Sequence, residues 1–121
     1  MNQAANAQRL LDRSETELLA ELGSALLGRG AVPASIDVRV TAARGWLTEN
    51  AEALKRNVCT DRIRALIHAD AGAVALTVAL GDLLMDQFAH VAPVTLAALI
   101  VRMGVDTYCQ KIWAKTPGHG V

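Results

Sequence analysis

The chain has 121 residues and a mass of 12.8 kDa, the size of one domain, so a second folded unit within 1–121 is excluded. With 52% hydrophobic and 20% charged residues it can bury enough apolar surface to offset its ordering entropy, which excludes intrinsic disorder. Twelve basic and twelve acidic side chains cancel, so no global positive field draws the chain to a polyanion or an anionic membrane.

The apolar residues are mostly of three kinds, 22 Ala, 16 Leu and 11 Val, against four aromatics, Trp46, Phe88, Tyr108 and Trp113. Ala and Leu head the helix propensity scale, so the composition predicts an all-α fold, specifically an antiparallel bundle of four long helices and one short one.

In chain order, Met1–Asn6 carries no basic stretch followed by an apolar one, so no secretory leader is expected. Leu11, Leu18, Leu22, Ala25 and Leu26 recur at helical spacing, with Glu15, Glu17 and Glu21 between them, and predict one amphipathic helix over 4–27. Gly28, Gly30 and Pro33 end it in a loop. Residues 36–41 alternate apolar and polar as a strand would. The same residues also open the helical series Ile36, Val40, Ala43, Leu47, Ala51, Leu54 and Val58, and no second alternating run exists to pair with a strand. A helix over 35–57 follows, with Ser35 as its N-cap and Gly45 as its weak point.

Residues 57–60 form a boundary before a short helix over 60–69, and Asp70 is expected to cap the helix after it. That helix, 71–91, has Asp82, Asp86 and His90 in one narrow sector and is otherwise nearly all apolar. Pro93 stands at the tolerant first turn of a last helix, 93–113, and residues 114–121 read as a frayed tail. Residues 1–64 hold nine basic and eight acidic side chains, while 65–121 hold three and four. The second half therefore reads as a buried helical hairpin. Its longest uncharged stretches, Ala71–Gly81 and Val91–Val101, have eleven residues each, short of the roughly 20 that span a membrane, and a cytoplasmic location is the expectation.

Four groups of residues carry chemistry. Asp82, Asp86 and His90, at i, i+4 and i+8, are the candidate metal or acid–base stripe. A metal site drawn from one helix is incomplete, so the same stripe reads equally as a solvent edge or as a partner of Arg102. Cys59 and Cys109 are too few and too far apart for a disulfide framework or a zinc knuckle, and read as reduced, buried thiols packed as small hydrophobes. No nucleophile signature surrounds either one. His68 and Asp70, behind Arg62 and Arg64, form a polar cluster at a helix junction. Arg39, Arg44, Lys55, Arg56, Arg62 and Arg64 form a basic stretch suited to phosphate or carboxylate, diluted by Asp37, Glu49, Glu52 and Asp61. No phosphate-cradling Gly-rich loop is present, and no cofactor is implied.

Three functions are consistent with this pattern. The first is a non-enzymatic interaction or assembly module, binding itself or a protein partner through an apolar face bounded by Phe88, Tyr108 and Trp113. Its motive is a hairpin too apolar for two outer helices to cover. The second is a small helical subunit of a nucleoprotein complex, similar in size and all-helical character to the small subunits of CRISPR effector complexes, with the Arg residues of 39–64 on a nucleic-acid backbone. The third is a metal-dependent enzyme using Asp82, Asp86 and His90.

Overall fold

The computed structural model describes residues 3–28 and 35–115. These residues form an all-α fold of eight helices: α1 (Gln3–Leu11), α2 (Glu15–Leu27), α3 (Ile36–Glu49), α4 (Ala51–Val58), α5 (Asp61–His68), α6 (Ala73–Phe88), α7 (Pro93–Met103) and α8 (Val105–Lys115). Among the described residues no helix is long and apolar enough to cross a membrane.

Three of the expected long helices are interrupted, each for a local reason. The helix expected over 4–27 breaks at Ser14, whose extended backbone starts α2 as an N-cap. Its Oγ accepts from the Glu17 N–H at 3.1 Å while its own N–H donates to Glu17 Oε1 at 3.0 Å. This reciprocal capping box satisfies two amides and fixes a new helix start. The helix expected over 35–57 runs unbroken through Gly45 and interrupts instead at Asn50, whose backbone and side-chain N–H groups both donate to the Trp46 carbonyl at 2.9 Å. The helix expected over 93–113 divides at Gly104, which sits at φ +94° and donates to the carbonyls of Ile100 and Val101. That backbone conformation is one a residue with a Cβ rarely adopts.

Other expectations hold in detail. Ser35 caps α3 by accepting from the Val38 N–H at 3.2 Å, while Thr60, expected as the first residue of the short helix, stands just outside α5 and caps it by accepting from the Ile63 N–H at 3.3 Å. Pro93 occupies the first turn of α7. Asp70, expected to cap the following helix, instead turns the chain at φ +58°, and Gly72 takes the N-cap position of α6 with no side-chain bond. Gly28 closes α2 by donating to the Ser24 carbonyl. The remainder of the predicted loop, 29–34, and the predicted tail beyond Lys115 lie outside the described residues.

The core centres on α7, where Pro93, Thr95, Leu96, Ala97, Ala98, Leu99 and Ile100 are buried. α6, α2, α1 and α8 pack around it. Each fully buried Leu or Ile there contributes about 1.5–3 kcal/mol of transfer free energy. α2 and α3 pack side by side, and Gly23 leaves room for the backbone of Arg39: a Cβ at Gly23 would overlap the Arg39 carbonyl. Small residues at a helix crossing bring the axes toward the short end of their range.

Candidate functional site

The most heavily built side-chain cluster lies where α4 and α5 meet α8. Cys59, at the end of α4, is joined by a disulfide to Cys109 of α8, with Cα atoms 5.5 Å apart across 50 residues of sequence. The two sulfurs are therefore not the free thiols expected, and neither is available as a nucleophile. Fifty residues of separation carry no local periodicity that signals the pairing; it is a product of packing, which buries Cys109 fully between Val105 and Trp113 on the inner face of α8.

Around that bond the basic stretch meets the aromatic residues. The Trp113 indole Nε1–H donates to the Cys59 carbonyl at 3.3 Å. The Arg64 guanidinium lies over the Trp113 ring, 5.5 Å from its centroid, and Lys55 Nζ lies 5.3 Å from the centroid of Tyr108. Such cation–π contacts hold a charge against an aromatic face while its head remains near water. Burial pushes the Tyr108 phenol above its ordinary value. Tyr108 is the chain neighbour of Cys109, and Trp113 bonds the Cys59 carbonyl, so both cation–ring pairs are attached to the two halves of the disulfide.

The other aromatic named from sequence does not join them. Phe88 is buried on α6 and meets Trp46 of α3 edge-on, with centroids 5.6 Å apart and planes at 86°. Phe88, Tyr108 and Trp113 thus bound no common exposed face: two of them are 8% exposed and Tyr108 is half-buried. Nor does the apolar hairpin lack cover, since α1 and α2 close over α6 and α7.

The acidic stripe is dispersed as well. Asp82 and Asp86 are exposed on α6, and exposed His90 lies two residues beyond the helix, which ends at Phe88. Arg102 does not pair with either carboxylate and donates instead to the Leu11 carbonyl at 3.1 Å, tying α7 to the end of α1. Among the described residues no three His, Cys, Asp or Glu side chains gather at metal-holding distance. His68 and Asp70 are both exposed at the α5–α6 turn.

The basic residues divide between inward and outward roles. Arg39 donates through Nη1 to Ser24 Oγ at 3.3 Å, and its Nε is buried without an acceptor. Arg44, Arg56 and Arg62 are exposed on α3, α4 and α5. Close to Arg39, the Arg13–Glu21 ion pair at 2.7 Å spans α1's exit and α2. The Glu17 carboxyl is held below its ordinary range chiefly by the hydrogen bond from the Ser14 backbone, and further by the Ser14 hydroxyl and nearby Arg13.

Exposed large apolar side chains fall elsewhere than the sequence reading placed them. Leu27 is 41% exposed at the end of α2, and Ile36 and Val38 are 54% and 52% exposed at the start of α3; Met85 and Met103 are the others. Sequence reasoning passed over this end of the α2–α3 pair because Ile36 fits the helical core series; it is exposed because it sits in the first turn, before the helix comes under cover. Comparison with protein-family models, curated proteins and solved structures returns no match for this chain.

Proposed function

We propose that the chain is a non-enzymatic helical assembly module that pairs with a second copy of itself through the outer end of α2 and α3. The observation that carries this reading is the exposure of Leu27 at the end of α2 and of Ile36 and Val38 in the first turn of α3, three of the five exposed large apolar side chains among the described residues. Single exposed apolar residues are ordinary, whereas a group of them marks an interface. The balance of twelve basic against twelve acidic residues leaves little net repulsion between copies, and an isologous contact presents the same patch twice. The antiparallel bundle expected from the sequence belongs to this reading, supported by the pairing of α2 with α3 and of α6 with α7.

Sedimentation of the purified chain tests it. A dimer that dissociates on dilution is expected, and Ile36→Asp with Val38→Asp abolishes it while the helical circular dichroism stays unchanged. A monomer at every concentration overturns the reading. A second reading, contact with a nucleic-acid backbone, is supported by exposed Arg44, Arg56 and Arg62, while Arg39 and Arg64 have internal partners. It requires binding whose affinity falls steeply as salt rises, through counterion release.

A further inference from the structure

α8 differs from the other helices in how it is attached. Gly104, in a backbone conformation suited to glycine, separates it from α7, and α8 then returns to the corner formed by α4 and α5. Its ties to that corner concentrate around one bond: the Cys59–Cys109 disulfide, the Trp113 indole bond to the Cys59 carbonyl itself, and the Lys55 and Arg64 contacts to Tyr108 and Trp113. The helix has eleven residues, a length that is marginal on its own in water. Its outer face carries Asp106, Thr107, Gln110 and Lys111, all exposed, so α8 undocked is an amphipathic segment and not an insoluble one.

We propose that Cys59–Cys109 is a thiol–disulfide exchange site for a dithiol reductant, and that its opening releases α8 from the α4–α5 corner with Gly104 as the pivot. The two sulfurs are unequal. Cys109 is fully buried and Cys59 is partly exposed, so the incoming thiolate reaches the Cys59 sulfur. Lys55, Arg56, Arg62 and Arg64 flank Cys59 in the chain and favour an approaching anion there. Attack forms a mixed disulfide on Cys59 and breaks the bond to Cys109, whose sulfur leaves with the electron pair and takes a proton. The second thiol of the reductant then displaces Cys59. The protein gains two electrons and two protons, and the reductant becomes a disulfide. Release uncovers the apolar inner face of α8, Val105, Cys109 and Trp113, together with the surface of α4 and α5 that it covers.

The test is hydrogen exchange on the whole oxidised chain, before and after a dithiol is added under native conditions, and again after reoxidation. On reduction, amides of 105–114 are expected to exchange faster by a factor roughly ten-fold or more greater than any acceleration that the lowered global stability brings to α2 and α7, with protection regained when the bond re-forms. The double variant Cys59→Ser with Cys109→Ser behaves as the reduced chain whether or not dithiol is present. With a monothiol in place of the dithiol, peptide mapping finds the mixed disulfide on Cys59. The proposal is overturned by α8 protection that survives complete reduction, by protection lost to the same extent in α8, α2 and α7, by a mixed disulfide on Cys109, or by two thiols that a disulfide oxidant leaves unpaired in the folded chain.

Discussion

The α2–α3 pair and the α4–α5–α8 corner are both assemblies of short helices at the edge of the α7 core, closed by opposite means. Between α2 and α3 no covalent tie exists: the helices approach because Gly23 lacks a side chain, and one hydrogen bond from Arg39 to Ser24 decorates the contact. At the corner the contact is a bond, Cys59 to Cys109, with two cation–π pairs and an indole hydrogen bond around it. A contact made by shape is broken by adding atoms. A contact made by a bond is broken by changing redox state, and otherwise persists.

The largest expected effect belongs to the corner. Replacing both cysteines, Cys59→Ser with Cys109→Ser, frees an unfolded-chain loop spanning 50 positions, which loop-entropy arithmetic values at about 4 kcal/mol. Urea unfolding of the double variant, compared with the oxidised chain, measures it; equal midpoints would show that the bond constrains nothing.

Next comes the shape-made contact. Gly23→Ala drives a methyl into the Arg39 backbone and is expected to cost about 1–3 kcal/mol, as overpacking does. Gly45→Ala is its control. Nothing lies within 4 Å of a Cβ at Gly45, and an exposed helical Gly replaced by Ala gains about 0.5–1 kcal/mol. Thermal melts of the two variants should shift in opposite directions, and a Gly23→Ala melt at or above the parent would show that α3 can move away without loss.

The smallest effect is electrostatic and falls at the entry to α2. The Ser14 hydrogen bonds depress the Glu17 carboxyl, so its contribution is fully present above the ordinary carboxylate value and is lost as pH falls through the depressed one. The Ser14 and Glu17 amide signals should therefore titrate below the ordinary carboxylate range, while the Cys59–Cys109 corner, closed by a bond that binds no proton, stays unchanged. Amide shifts at Glu17 that are flat through this range would mean the capping box is open in solution.

Much of the local structure was legible, for identifiable reasons. Ser35 and Pro93 act within one helical turn of themselves, so their roles follow from residue type and position alone, and the same reasoning would have named Thr60 as a cap. The break at Ser14 was equally legible, since Ser-Glu-Thr-Glu is a capping-box pattern, but the apolar periodicity of 4–27 runs straight across it. Gly104 was harder to read. A glycine inside an apolar helix signals a break only when the chain has somewhere else to go, and the corner formed by α4 and α5 supplies that destination.

The sequence by itself determined that this chain is helical, where its polar and apolar halves lie, and the Ser35 cap of α3, because composition and helical period act over a few residues at a time. Tertiary structure alone decided that Cys59 meets Cys109, that Arg64 and Lys55 turn inward to Trp113 and Tyr108 while Arg44, Arg56 and Arg62 face out, and that Phe88 is spent on Trp46. It also decided that α6 ends at Phe88, two residues short of His90. Each of these depends on where a helix stops and which distant helix it then meets, and those are set by the packing of the whole core.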